Sequence, residues 1–232
     1  MARTRIKICG ITREEDLRAA VDAGADALGF VFYPKSPRYV SPERAAELTA
    51  ALPPFVSAVA LFVNPALAEV QAVVDAAPVA LIQFHGDETA EECARIAAAV
   101  RRPFVRAYRV RPDTSAADLL ECEREYRAAS PWYSSLLLDA YVDAYGGAGK
   151  VFDWSLIPKE LAPRVVLSGG LSVQNATDAV HRVRPFAVDI SSGVEQHKGI
   201  KDVRKMVAFI AAVRAADAII ESEPPHESVQ DP

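Results

Sequence analysis

The feature that most restricts the fold of this 232-residue chain is a repeated alternation of β-rich runs with Ala- and Glu-rich helical stretches. "RIKIC" precedes "REEDLRAAVDAG", "ALGFVF" precedes "SPERAAELTAAL", and "VSAVALFV" precedes "PALAEVQAVVDAA". The rhythm continues through "VALIQF", "PFVRAYRV", "SLLLDA", "RVVLSGG" and "FAVDISSG", giving eight strand–helix units, with a short helical stretch near Phe152. Alternation of this kind predicts parallel strands wrapped in helices. An open dinucleotide-binding sheet wants G-x-G-x-x-G after its first strand, and here "GITREED" follows instead. The expected fold is therefore α/β, a single (β/α)8 TIM barrel, compact beside the usual size of about 250 residues.

Local chemistry marks the boundaries. Thr12 before Glu14 and Glu15 predicts a helix cap with an acidic first turn. Ser41-Pro42-Glu43 combines a cap, a proline at the first helical position and an acid. Gly24 after "RAAVDA" supplies the left-handed residue that ends a helix. No low-complexity linker divides the chain, so residues 1–220 form one barrel domain. The polar, proline-bearing segment 221–232, "ESEPPHESVQDP", is expected to be a disordered tail.

Composition narrows the partners. A formal net charge of -5 lacks the basic footprint of a nucleic-acid binder. No apolar run approaches the roughly 20 residues of a membrane span, and the N-terminus lacks a signal-peptide core. Cys9, Cys93 and Cys122 show neither a disulfide framework nor metal spacing, which points to the reducing cytoplasm. A monomer is expected rather than a homodimer.

Barrel enzymes build their sites at the C-terminal ends of the strands. Those ends here carry Cys9, the stretch Phe32 to Arg38, Asn64, His85-Gly86, Asp139, Ser168-Gly169-Gly170 and Asp189 to Gly193. Strand alternation sends Lys7 and Cys9 into the barrel while Ile6 and Ile8 face the helices. "LSGGLS" and "DISSGVE" leave strands seven and eight, where such barrels commonly hold a phosphate on backbone amides. Ser191 and Ser192 are candidate hydroxyl donors beside them. "YGGAGKVFDW" fails as a nucleotide loop, because Ala144 replaces the first glycine and Val151 follows the lysine. It is expected to be a mobile loop over the barrel mouth. His85 is expected to orient a loop. His181, His197 and His226 show no metal spacing.

Together, "KICGIT", "GADALGFVFYPKSPRYV", "LFVNP", "LLLDA", "YGGAGKVFDW", "VVLSGGL" and "RPFAVDISSGVE" make the chain resemble phosphoribosylanthranilate isomerase of tryptophan biosynthesis. The resemblance runs from the first strand to the last helix. It implies a single barrel, without cofactor or metal, whose partner is a small phosphosugar–anthranilate molecule. The implied reaction is an Amadori rearrangement of N-(5-phosphoribosyl)anthranilate to 1-(2-carboxyphenylamino)-1-deoxyribulose 5-phosphate. By resemblance Cys9 is the general base, Asp139 the general acid, and Arg38 the partner of the anthranilate carboxylate. Gly169, Gly170, Ser191, Ser192 and Gly193 hold the phosphate, and Asp189 matches a further polar position. One departure is Phe84, where a smaller aliphatic residue is expected before His85-Gly86.

The chemistry sets a problem for this pair. Unperturbed Asp (pKa about 3.9) is ionised and Cys (about 8.5) neutral at pH 7, the reverse of what an acid and a thiolate base require. The gap of about 4.6 pKa units amounts to roughly 6 kcal/mol. Lys7 is either the cation that tunes the Cys9 thiol or one half of an inner-barrel ion pair with Asp189. Two rivals stand beside this reading: a metal-dependent phosphosugar epimerase, which wants several His and Asp at strand ends, and a non-catalytic phosphosugar-binding barrel, for which Cys9 and Asp139 are superfluous.

Overall fold

The computed structural model describes residues 3–140 and 151–222. Eight parallel strands close into a barrel in chain order. They are β1 (Arg5–Cys9), β2 (Ala27–Val31), β3 (Ser57–Phe62), β4 (Leu81–Phe84), β5 (Phe104–Val110), β6 (Tyr133–Ala140), β7 (Val166–Leu167) and β8 (Ala187–Ile190). β1 closes the ring by pairing with both β2 and β8, with Lys7 level with Asp189. Around it lie α1 (Glu14–Ala23), α2 (Pro42–Thr49), α3 (Leu67–Ala76), α4 (Ala90–Val100), α5 (Ala116–Ala129), α6 (Ala176–Val183) and α7 (Val203–Ser222).

Period-two alternation divides the strand residues between two environments. Ile6, Ile8, Leu28, Phe30, Phe62, Ile82 and Leu138 join the continuous apolar layer between barrel and helices. The barrel interior holds two small apolar clusters instead, Ala107–Leu137–Val166–Ala187 and Cys9–Val31–Leu61. Fully burying a residue such as Leu or Phe contributes about 1.5–3 kcal/mol, so the outer layer supplies most of the fold's apolar stabilisation. Phe84 belongs to that layer, fully buried and edge-on to Phe104 at 5.5 Å. The departure from the family pattern therefore faces away from the barrel interior.

Several boundaries follow the sequence chemistry. Ser41 accepts from Arg44 N to cap α2, with Pro42 at the first position. Gly24 ends α1 in the left-handed region. Thr12 does not cap α1: the cap position is Arg13, and the Thr12 hydroxyl donates to Gly199 O at 2.7 Å. Among the described residues between β6 and β7, the short helical stretch expected near Phe152 takes the form of 3-10 turns at Trp154–Leu156 and Ala162–Arg164 rather than an α-helix. Pro158 and Pro163 explain this, since proline lacks the amide proton and clashes inside a helix. At the C-terminus α7 runs to Ser222, so Glu221 and Ser222 are helical rather than tail. Residues 223–232 and 141–150, the latter including most of the segment expected to be a mobile loop, lie outside the described residues.

Candidate active site

One cleft at the C-terminal mouth brings together Cys9, Arg38, Asp139, Gly169, Gly170, Asp189 and the Ser191–Ser192–Gly193 turn. Cys9 ends β1, Asp139 stands one residue from the end of β6, and Gly169 and Gly170 follow β7. The glycine and serine turns are neighbours because β7 and β8 are adjacent strands. Among the described residues no group of three or more His, Cys, Asp or Glu is placed to hold a metal ion.

Lys7 forms the inner-barrel ion pair with Asp189. Its Nζ donates to Asp189 Oδ1 at 2.7 Å, and both side chains are buried. Ser168 Oγ donates to the main-chain oxygen of Asp189 at 3.2 Å. Burial alone would lower the Lys7 pKa, but Asp189 and Cys9 more than offset it and hold the ammonium above its ordinary value. Burial also dominates at Cys9 and pushes its thiol up; Lys7, and more weakly Lys201, pull it back down. Without substrate the thiol is therefore protonated at neutral pH, and Lys7 limits the rise rather than reversing it. Gly29 on β2 makes the juxtaposition possible. A Cβ there would stand 2.8 Å from Cys9 Sγ and 2.9 Å from Lys7 Nζ, too close for either.

Asp139 sits under Gly169. That glycine has φ 77°, and a Cβ on it would lie 2.2 Å from Ala140 N and 2.8 Å from Asp139 Oδ1. His85, expected to orient a loop, reaches Asp139 directly: its Nε2 is 3.1 Å from Asp139 Oδ2. Behind it the Gln83 side-chain nitrogen stands 2.9 Å from His85 Nδ1. Gln83 is fully buried, and its Oε1 has no hydrogen-bond partner among the described residues.

Arg38 is neither at the surface nor free. Its Nε and Nη2 each donate to a carboxylate oxygen of Glu195 at 2.7 Å, the planar two-bond geometry that fits guanidinium to carboxylate. Nη1 lies outside that fork, without a hydrogen-bond partner among the described residues, and Arg38 lines the cleft. Glu195 begins a hairpin of β9 (Glu195–His197) and β10 (Ile200–Lys201), and also accepts from Lys201 Nζ at 3.1 Å. Burial alone would raise the Glu195 carboxyl, but hydrogen bonds from Arg38 and the charge of Lys201 hold it below its ordinary value. Lys201 also donates to Ser191 O at 3.2 Å. Ser191 Oγ donates its proton to Cys9 O at 3.0 Å, so this hydroxyl is engaged by the fold and not a free donor in the turn.

Gln83, Gly29, Glu195 and Lys201 were not singled out by sequence. Alternation from Cys9 would have put Gly29 and Gln83 inside the barrel, but nothing local pairs Glu195 with an arginine 157 residues away.

The sequence profile of the N-(5'phosphoribosyl)anthranilate (PRA) isomerase family matches residues 6–212. An N-(5'-phosphoribosyl)anthranilate isomerase of Herminiimonas arsenicoxydans is 71% identical over 221 residues, spanning 95% of this chain and 97% of that protein. One from Dechloromonas aromatica (strain RCB) is 59% identical over 218 residues, spanning 94% of this chain and all (100%) of that protein. Among solved structures, the phosphoribosyl anthranilate isomerase of Thermotoga maritima is 44% identical with a TM-score of 0.80, covering 91% of this chain and 99% of its own. A phosphoribosyl anthranilate isomerase in complex with reduced 1-(o-carboxyphenylamino)-1-deoxyribulose 5-phosphate is 41% identical, TM-score 0.77, with coverage of 91% and 99%. Monomers generated from the dimeric Thermotoga maritima isomerase are 39% identical, TM-score 0.75, with coverage of 91% and 98%. By profile, identity and fold, this chain belongs to the N-(5'-phosphoribosyl)anthranilate isomerase family.

Proposed function

We propose that this cleft isomerises N-(5'-phosphoribosyl)anthranilate to 1-(2-carboxyphenylamino)-1-deoxyribulose 5-phosphate with Asp139 as general acid and Cys9 as general base. The observation that carries the assignment is that a thiol from β1 and a carboxyl from β6 line one cleft together with two glycine turns and an arginine. Asp139 gives a proton to the ribose ring oxygen as the C1–O bond breaks, which leaves a C1 iminium. Cys9 removes the proton on C2, and the C2–H electrons form the C1=C2 bond of an enaminol as the iminium π electrons pass to nitrogen; C1 then takes up a proton as the C2 hydroxyl gives one up, which leaves the C2 ketone. No atom is lost and none is gained.

The remaining contacts assign the ends of the substrate. The turns at Gly169-Gly170 and Ser191-Ser192-Gly193 supply main-chain amides for the phosphate, and the left-handed Gly169 and Gly170 allow close approach at the first of them. Arg38 Nη1 meets the anthranilate carboxylate while Glu195 keeps the guanidinium in plane. Asp189 acts through Lys7, holding the ammonium beside the Cys9 thiol. Lys7 offsets part of the burial penalty on the Cys9 thiolate, and about 6 kcal/mol separates unperturbed Cys–Asp from the reversed pair.

Each chain supplies a complete site, which supports the monomer as the catalytic unit; light scattering separates it from a dimer like that of the Thermotoga maritima relative. Among the described residues no helix is long and apolar enough to cross a membrane. The described cysteines are all free, in keeping with a cytoplasmic setting. Mixing the protein with phosphoribosylanthranilate and following loss of its fluorescence tests the function. Turnover is the expected result; binding without turnover is the outcome for a non-catalytic phosphosugar barrel.

A further inference from the structure

The Asp139–His85–Gln83 chain bears on how the acid is kept protonated, and it rests on the reading of Asp139 above. His85 bridges the two through opposite ring nitrogens, Nδ1 to Gln83 at 2.9 Å and Nε2 to Asp139 at 3.1 Å. A neutral imidazole carries one proton, so the partner of one nitrogen dictates what the other does. With the Gln83 nitrogen donating to Nδ1, the ring proton sits on Nε2 and is donated to Asp139. That arrangement favours an ionised carboxylate, which has no proton to give the ribose oxygen. Rotating the amide by half a turn presents Oε1, which accepts from Nδ1–H. Nε2 then carries a lone pair, and the hydrogen bond to Asp139 survives only if the carboxyl carries the proton.

The surroundings do not lock the amide in either orientation. Gln83 is fully buried, and Oε1 has no partner among the described residues. Buried side-chain amides are ordinarily fixed by partners on both atoms. Here rotation exchanges an unpartnered acceptor for an unpartnered donor at the same place. Both orientations leave one amide group unsatisfied, so the cost of switching is small.

We propose that Gln83 is a positioning residue whose amide rotates on substrate binding to hold His85 as the Nδ1–H tautomer, and so holds Asp139 as the carboxylic acid. The protons balance within the site. The acid form of Asp139 contains one proton more than the carboxylate, the Cys9 thiolate one fewer than the thiol, and His85 keeps one throughout, moved from Nε2 to Nδ1. The reversed acid–base pair is then reached without net proton uptake from solvent.

The test is nitrogen NMR on protein labelled with 15N-histidine, free and saturated with reduced 1-(o-carboxyphenylamino)-1-deoxyribulose 5-phosphate, with His85 assigned by comparison with His85→Asn. The expected result is a shift of the protonated nitrogen from Nε2 in the free protein to Nδ1 in the complex. A ring that stays protonated on Nε2 in the complex overturns the proposal even if Asp139 proves to be the acid, whereas an active Asp139→Asn removes the reading beneath it. Kinetics give a second arm. Gln83→Glu can only accept from Nδ1–H and should keep kcat within about tenfold, while Gln83→Met, of similar shape but without either group, should lower kcat by about 10- to 100-fold with KM little changed. Equal losses in the two variants, or a fully active Gln83→Met, would contradict the assignment.

Discussion

The two ends of the barrel use the same backbone conformation under different constraints. At the N-terminal end of the strands, left-handed residues close helices: Gly24, Arg101 and Arg184 end α1, α4 and α6 with φ of 98°, 52° and 52°. Two of these are arginines, and a Cβ added to Gly24 would meet nothing within 4 Å. At the C-terminal end Gly169 is also left-handed, yet a Cβ there would collide with the Ala140 main chain at 2.2 Å and crowd Asp139. Charge divides in the same way. The Arg3–Asp26 pair beneath the barrel has an arginine 51% exposed, whereas Arg38–Glu195 and Lys7–Asp189 are buried. Exposed pairs contribute about 0–1 kcal/mol, and buried ones often cost more in desolvation than they return. One end meets only the geometric needs of chain reversal. The other carries close contacts and buried charges beyond the needs of chain reversal, which supports the proposed site at that end.

Substitutions that separate these ends should differ most in turnover. Asp139→Asn keeps shape and hydrogen bonding but has no carboxylic proton, so kcat should fall by about 100- to 10,000-fold. Calorimetry should find the reduced product analogue bound within a few-fold of normal; near-normal kcat would break the division. Next come the ion pairs. Glu195→Gln leaves Arg38 and Lys201 buried without their charge partner and should cost about 3–5 kcal/mol, against at most about 1 for Arg3→Ala, read from urea midpoints. Because the Glu195 carboxyl is held below its ordinary value, its contribution is present above about pH 4.3 and is lost as pH falls through the depressed value. The wild type should therefore lose more stability on acidification than Glu195→Gln.

The glycines sharpen the contrast at smaller scale. Gly24→Ala should cost about 1–2 kcal/mol for a left-handed alanine and leave kcat/KM unchanged. Gly169→Ala adds a collision to the same strain and should raise KM for the phosphorylated substrate as well; equal effects at the two positions would dissolve the distinction. The smallest effect is expected at Phe55, which is fully exposed at the N-terminal end. Phe55→Ser should leave kcat and KM as they are, and a change in either would show that this end contributes to the site.

The strands were legible as β-rich runs alternating with helical stretches, because each unit must lay a helix over the outer face of its strand. Cys9, Asp139 and the glycine turns were legible in turn: their places at strand ends put them on one rim. Local reading failed where the partner is distant. Thr12 reads as a cap, yet Gly199 takes its hydroxyl; the Ser191 hydroxyl likewise has a distant partner that no local signal shows, Cys9 O. Arg38 was legible as a rim residue but its buried partner Glu195 was not, since the two meet only when the hairpin after β8 comes against the segment that follows β2. Gln83 lay hidden in an apolar run, where one amide among Leu81, Ile82 and Phe84 carries no local signal.

Replacing the Cys9 thiol by a hydroxyl tests the central claim most directly. Cys9→Ser preserves size and the neighbours Lys7 and Gly29, but serine is scarcely ionised at neutral pH. The account predicts a fall in kcat of about 100- to 10,000-fold in the fluorescence assay, with binding of the reduced product analogue retained. Turnover near that of the wild type would show that the proton on C2 is removed by some other group, and the acid–base pair across the barrel mouth would have to be reassigned.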